Sequence, residues 1–117
     1  MPYRLVELAD RLKEMDISDA PYLDQHQMRS VVNRAYYAAY ITARDFCEAK
    51  GFQGSGSSHQ RVIEALKGKP QWRATANRLQ QMKELRHQAD YDWQNPMRLR
   101  DAQSAMKTSQ KVIEALQ

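Results

Sequence analysis

The sequence contains little cysteine, and it has no long apolar run. Cys47 is the only cysteine, so no disulfide can form within the chain. It follows Phe46 on an apolar helical stretch, and we therefore expect a buried, unreactive thiol. No apolar run approaches the roughly 20 residues that span a bilayer, and the first residues do not resemble a signal peptide. We expect a cytoplasmic protein without a membrane segment.

Strand alternation, repeats and metal-ligand spacings are also missing. No segment alternates apolar and polar residues as a half-buried strand does. No spacing of cysteine and histidine suggests zinc, and the Glu-x-x-His pairs of carboxylate-bridged metal bundles are absent. His87, Asp90 and Asp92 are close in sequence but point in different directions on a helix. The sequence therefore predicts no metal site and no cofactor.

Helical periodicity is what remains in these 117 residues. Apolar residues recur every three or four positions, and glycine or proline separates the periodic segments. The pattern predicts helices over about 3–14, from Pro21 to before Gly51, from about 58 to 67, over about 72–91, and from Leu99 to the end. Residues 51–58 are interpreted as a linker in which Ser57 or Ser58 caps the third helix. We expect one all-α domain over residues 1–117, an up-down bundle of four to five helices.

Arg86 interrupts the apolar stripe of the fourth predicted helix. That stripe is formed by Trp72, Ala76, Leu79, Met82, Ala89 and Trp93. Arg86 falls on the same line, with Asp90 one turn later. An inward guanidinium is costly unless it is paired. Two interpretations stay open: a structural Arg86–Asp90 ion pair that fixes helix packing, or a polar pocket within or between helix bundles.

The long second helix has two non-equivalent faces. Met28, Val32, Ala35, Ala39, Thr42 and Phe46 form an ordinary core stripe. Asn33, Tyr37, Tyr40 and Arg44 repeat at the same spacing on another side. This second face needs a partner, which is another helix of the bundle, a second subunit, or the bases of a nucleic acid.

His59 and an excess of basic residues mark the second half of the chain. His59 shares a predicted face with Val62, Ile63 and Leu66, as a core histidine would; near Arg86, its neutral imidazole would instead be a proton carrier. Residues 60–87 contain seven basic and two acidic residues. Arg73, Arg78 and Lys83 are the candidates for binding phosphates or an acidic protein, although solvated basic helices are also common.

Three segments together resemble the HEPN superfamily. They are Asn33-Arg34-Ala35-Tyr36-Tyr37-Ala38-Ala39-Tyr40, Ser58-His59-Gln60-Arg61-Val62-Ile63 and Leu85-Arg86-His87-Gln88-Ala89-Asp90-Tyr91. The last segment is similar to the branch with an Arg-x-x-Ala-Asp-Tyr motif. The resemblance covers roughly residues 25–116. It implies a helical bundle that often forms a homodimer, and an association with minimal nucleotidyltransferases in toxin–antitoxin or defence modules.

The resemblance also implies a way of cleaving RNA. Many HEPN proteins are metal-independent ribonucleases whose motif is an arginine, a polar residue directly after it, and a histidine several positions on. Arg86 and His87 match the first two, whereas Tyr91, Asp92 and Trp93 stand where the histidine is expected. His59 and His87 are then the candidate proton carriers, because tyrosine is a poor base at neutral pH. Asp90, Asn33, Arg34 and Tyr37 are expected to line or support the cleft.

Two hypotheses about function follow. In the first, the chain is a HEPN component of a toxin–antitoxin or defence-like module, with a nucleotidyltransferase antitoxin and RNA as partners and Arg86, His59, His87 or Tyr91 in catalysis. In the second, it is a non-catalytic module that binds RNA, a nucleotide or a protein. The sequence alone leaves both open.

Overall fold

The computed structural model describes residues 2–117 and contains five α-helices in that range. They are α1 (Pro2–Glu14), α2 (Asp24–Lys50), α3 (Ser58–Lys67), α4 (Arg73–Tyr91) and α5 (Leu99–Ala115). Over the described residues no strand is formed, so the expected all-α bundle is confirmed. In the same range, no helix combines the length and apolar character that a membrane crossing needs.

Proline and glycine set the helix boundaries. Short 3₁₀ turns, Pro21–Leu23 and Pro70–Trp72, lead into α2 and α4, because the fixed φ of proline suits a first helical turn. Gly51 ends α2 with a φ of 71°, and its N–H bonds to the carbonyls of Cys47 and Glu48. Ser57 occupies the N-cap position of α3, but its side chain makes no capping hydrogen bond. That part of the capping prediction is wrong.

Helix α2 lies at the centre of the bundle and packs against each of the other four helices. Small residues dominate its buried surface, and Ala35, Ala38, Ala39 and Ala43 have no exposed area. Short side chains let neighbouring helices approach closely and bury more surface. One polar contact joins this core, since the Ser109 hydroxyl of α5 donates to the carbonyl of Ala35 over 2.7 Å. The Cys47 thiol is buried, as expected, and burial raises its pKa.

The carboxyl end of α4 is capped by a side chain from α2. Arg29 is only 4% exposed. Its Nη1 donates to the carbonyls of Gln88, Ala89 and Asp92 at 3.0, 2.9 and 2.9 Å, and its Nη2 donates to that of Asn95 at 2.8 Å. The Gln88 carbonyl also accepts from the Asp92 N–H, and the negative end of the helix dipole attracts the cation. Arg29 therefore fixes both the end of α4 and the start of the α4–α5 connector.

Two neighbouring side chains complete this junction. The Gln25 amide donates to the Met97 carbonyl and accepts from the Met97 N–H, both over 2.8 Å. The Trp93 ring covers the Arg29 guanidinium at 4.1 Å from its centroid. Trp93 was expected in the core, but it is 50% exposed because α4 ends at Tyr91 and the chain turns away. Leu99, the residue at which the last predicted helix begins, is likewise exposed.

We predict that Arg29→Ala lowers the free energy of unfolding by about 3 kcal/mol, because it leaves several carbonyls at a buried helix end without donors. Urea denaturation followed by circular dichroism measures this loss. Arg34→Ala is the matched control, because Arg34 is exposed on the same helix and its hydrogen bond within residues 2–117 is to its neighbour Asn33. The control should change stability by less than about 0.5 kcal/mol. Equal effects of the two variants would contradict the capping role.

Candidate functional site

Arg86 points inward, as its position on the apolar stripe of α4 indicated. Its Nη1 lies 2.9 Å from Oδ2 of Asp90, and the two side chains are 17% and 28% exposed. The ion pair expected from the sequence is therefore present. It does not satisfy the whole guanidinium, since the buried Nε of Arg86 has no hydrogen-bond partner. An unsatisfied donor in a partly buried cation is costly, and it is a feature of sites that bind anions as well as of strained packing.

The rings of two tyrosines from α2 lie beside the Arg86 guanidinium. Its Cζ is 5.5 Å from the ring centroid of Tyr36 and 5.9 Å from that of Tyr37. Such contacts stabilise a cation that has lost part of its hydration. The second face of α2, marked in the sequence by Tyr37 and Tyr40, therefore packs within the same chain against α3 and α4.

His59, from the first turn of α3, joins the same tyrosines. Its Nδ1 and the Tyr36 hydroxyl share a hydrogen bond of 2.6 Å. Its ring stacks on Tyr40 with centroids 4.2 Å apart and planes 6° from parallel. Tyr36, Tyr37, Tyr40 and His59 thus form one group, which we call the aromatic cluster. Arg86 and His59, distant in sequence, both contact Tyr36.

The protonation of the aromatic cluster follows from its burial and from two nearby cations. Burial lowers the pKa of His59, and the charges of Arg86 and Lys83 lower it further. Burial raises the pKa of Tyr36 well above its ordinary value, a shift that the charge of Arg86 partly opposes. At neutral pH the cluster therefore holds a neutral imidazole and a protonated phenol beside a guanidinium.

Of the three basic residues expected to bind phosphate, one lies next to the aromatic cluster. The Lys83 ammonium donates to the Gln60 side chain of α3 over 2.8 Å and contributes to the low pKa of His59. Arg73, Arg78 and Lys83 follow each other at intervals of five residues, so successive side chains turn by about 140° around α4. They do not share one face of the helix.

The other expected site residues line a separate groove of about 450 Å³. Asn33 and Arg34 of α2 face Asp90 and Tyr91 of α4 across it. Asp90 joins the groove to the aromatic cluster, because its carboxylate holds Arg86. Tyr37 lies in the cluster rather than in this groove.

His87 and Tyr91 lie at the surface of α4. His87 is exposed, its ring is 4.8 Å from that of Tyr91, and Tyr91 is itself 70% exposed. Of the two histidines considered as proton carriers, only His59 belongs to the aromatic cluster.

Two residues of the site were missed in the sequence. Tyr36 is fully buried and connects His59 to Arg86. It stands between the two faces assigned to α2, four residues before Tyr40, and an i, i+4 pair of tyrosines was the available signal. Arg29 was missed as well. It occupies a core-facing position of α2, so it could have been recognised by the argument applied to Arg86.

The arrangement provides two of the groups that phosphodiester chemistry uses. A guanidinium can stabilise negative charge on phosphate oxygens, and a neutral imidazole can accept a proton from a hydroxyl. Within residues 2–117, no group of three or more metal-ligating side chains converges.

Comparison with known proteins identifies one family. The model of the HEPN domain matches residues 6–117, nearly the whole chain. No curated protein and no solved structure matches the chain significantly.

We predict that Arg86→Met raises the pKa of His59, because one of the two cations that disfavour the imidazolium is removed. The NMR titration of the His59 ring in both proteins measures this change. Arg73→Met is the matched control, since Arg73 is exposed and lies at the far end of α4. An unchanged titration in Arg86→Met would contradict the proximity of the two groups.

The same shift sets a pH dependence of stability. Because folding lowers the pKa of His59, the folded state favours the neutral ring, and this contribution is fully present above the unfolded pKa of about 6.5. It is lost as the pH falls from there toward the folded pKa. As the pH falls through this window, we expect the free energy of unfolding of His59→Gln to decrease less than that of the native chain.

Proposed function

The chain belongs to the HEPN family, and on this premise we propose that it cleaves RNA as a homodimer, without a metal ion, within a toxin–antitoxin or defence-like module. The observation that carries the proposal is the meeting of Arg86 and His59 at Tyr36. The motif histidine expected after Arg86 is replaced, and His59 supplies an imidazole from another helix. A minimal nucleotidyltransferase is the proposed partner, an assignment that rests on the family resemblance.

The proposed reaction is attack of a ribose 2′-oxygen on the adjacent phosphorus. In the proposed tautomer the Nδ1–H of His59 donates to the Tyr36 hydroxyl oxygen, so Nε2 carries the lone pair that takes the proton of the 2′-hydroxyl. Arg86 stabilises the charge that develops on the phosphate oxygens. As the bond from phosphorus to the 5′-oxygen breaks, the proton passes from His59 to that oxygen. The products are a 2′,3′-cyclic phosphate and a free 5′-hydroxyl.

The lowered pKa of His59 suits the role of a base. A ring that is neutral at pH 7 can accept a proton, whereas an imidazolium cannot. The buried Nε of Arg86, which has no partner, is one donor that a phosphate oxygen could satisfy after a small shift of the side chain.

One observation favours a second candidate function, which is RNA binding without cleavage. Asp90 already neutralises Arg86 at 2.9 Å, so a phosphate must compete with a carboxylate for the guanidinium. If Asp90 keeps Arg86 in place, the ion pair is structural and the basic residues outside the aromatic cluster hold the RNA. The experiment below separates the two functions.

Exposed aromatic residues support the dimeric part of the proposal. Tyr91 and Trp93 are 70% and 50% exposed, and both line the groove that contains Asn33 and Arg34. Large aromatic residues with one apolar side are enriched at protein interfaces. A second copy that covers this groove would bring the carboxyl end of its own α4, which carries Arg86, toward the first copy.

We predict that the purified protein cleaves single-stranded RNA in the presence of EDTA, and that Arg86→Ala and His59→Gln each reduce the rate at least about 100-fold. RNA affinity should change by less than about fivefold, because both residues act mainly in the transition state. Gel analysis of a labelled oligoribonucleotide gives the rate, and fluorescence anisotropy gives the affinity.

His87→Gln is the matched control for His59→Gln, since His87 is exposed and its ring lies beside Tyr91, outside the aromatic cluster. The control should retain activity. RNA that is bound but not cleaved would support the second candidate function. Arg86→Ala that mainly lowers the melting temperature would leave the ion pair with a structural role only.

We predict that the native chain is dimeric in sedimentation analysis and that Trp93→Ser shifts it toward monomer by at least about tenfold in Kd, because a buried aromatic contact is lost. Tyr22→Ser is the matched control, since Tyr22 is 77% exposed but lies outside the groove. A native chain that stays monomeric at high concentration would contradict the dimer.

A further inference from the structure

A larger groove borders the aromatic cluster at Tyr40, between the second half of α2, α3 and the loop that joins them. Its volume is about 570 Å³, within the range of small-molecule sites. Tyr40, Phe52 and Val62 give it an apolar floor. Tyr40 also stacks on His59, so this groove begins where the aromatic cluster ends.

The loop wall of this groove is fixed by close backbone packing. A Cβ at Gly54 would lie 2.2 Å from the carbonyl oxygen of Arg61 and 2.7 Å from the N of Ala65. Only glycine allows the loop to lie this close to α3. The groove is therefore a built feature of the fold, although residues 51–57 form no regular structure.

Two arginines from different helices line the same groove. Arg44 comes from α2 and Arg61 from α3. Arg44 pairs with Asp45 at 3.1 Å, and both side chains are about half exposed, so this pair is weak and exchangeable. Arg61 donates to the Gly56 carbonyl over 3.3 Å, which leaves most of its guanidinium donors for another group.

An apolar floor beside two guanidinium groups is complementary to a flat ring that carries a phosphate. Guanidinium groups bind phosphate oxygens in a forked geometry, and aromatic and aliphatic side chains accept the face of a base. Glu48, the one acidic residue in the lining, can accept hydrogen bonds from a ribose hydroxyl or an exocyclic amine. The lining keeps one net positive charge.

We propose that this groove binds one nucleotide, with its base on Tyr40 and Phe52 and its phosphate at Arg44 and Arg61. In an RNA chain this nucleotide flanks the bond that is presented to His59, since Tyr40 borders both places. The assignment to RNA rests on the proposed function. The same groove chemistry would also accept a free nucleotide, and the test below separates the two sources.

The test compares Arg44→Gln and Arg61→Gln with Arg100→Gln, which removes the same charge from an exposed position on α5 outside the groove. The probes are a short, labelled single-stranded oligoribonucleotide, measured by fluorescence anisotropy, and adenosine 5′-monophosphate, measured by calorimetry. Each groove variant should weaken binding of the oligoribonucleotide at least about fivefold, and the control less than about twofold.

The lysine variants Arg44→Lys and Arg61→Lys, together with thermal unfolding, show whether a lost affinity reflects a disturbed fold. Partial recovery by lysine at an unchanged melting temperature supports a direct phosphate contact. If the groove variants bind both probes as tightly as Arg100→Gln does, the groove proposal is overturned, while RNA cleavage by Arg86 and His59 can still stand.

The two probes separate the remaining outcomes. Binding of adenosine 5′-monophosphate that depends on Arg44 and Arg61, without binding of RNA, would support the groove as a free-nucleotide site and overturn the proposed function. Binding of the oligoribonucleotide that depends on Arg44 and Arg61 supports both the groove proposal and the proposed function. A native chain that binds neither probe overturns both.

Discussion

The capping of α4 by Arg29 is the interaction on which the rest of the structure depends. One guanidinium satisfies carbonyls at the end of α4 and in the connector that follows, and it does so from the central helix of the bundle. A charge in this position is stable because it meets the negative end of a helix dipole and several acceptors at once. The register between α2 and α4 follows from it. That register places Tyr36 and Tyr37 beside Arg86.

The site is built on this register from weak individual contacts. A salt bridge, two ring contacts and one hydrogen bond hold Arg86 and His59 at Tyr36. Each contact contributes little alone. Because these side chains are half-buried, water competes less well for their charges and hydrogen-bonding groups, and the contacts are stronger than they would be at the surface. The same setting keeps His59 neutral and leaves the Nε of Arg86 without a partner. The same few side chains therefore contribute to the stability of the fold and to the proposed chemistry.

Sequence reasoning recovered the helices and the inward direction of Arg86, because both follow from a period of three to four residues. It failed where the chain leaves that period. The spacing of the apolar residues continues to Trp93, but α4 ends two residues earlier, and the Trp93 ring covers Arg29 instead. The inward position of Arg29 could have been recognised from its place on α2, but its acceptors are carbonyls distant in sequence, and no spacing reveals those. The pairing of His59 with Arg86 likewise depends on how α3 packs against α2 and α4, which is a property of the tertiary fold.

The connector between α4 and α5 has a consequence for how the chain can vary. The carbonyls of Asp92 and Asn95 and the backbone of Met97 are all held by side chains of α2. An inserted or deleted residue there would displace acceptors that must converge on fixed donors, so the length of this connector is constrained. The Gln27 side chain of α2 likewise holds the carbonyls of Leu12, Lys13 and Met15. The hydrogen bonds that follow in residues 16–20 are local, from Ser18 N–H to Asp16 and from Ala20 N–H to Ile17. Change in chain length is therefore expected to accumulate at that end, away from the cation that organises the fold.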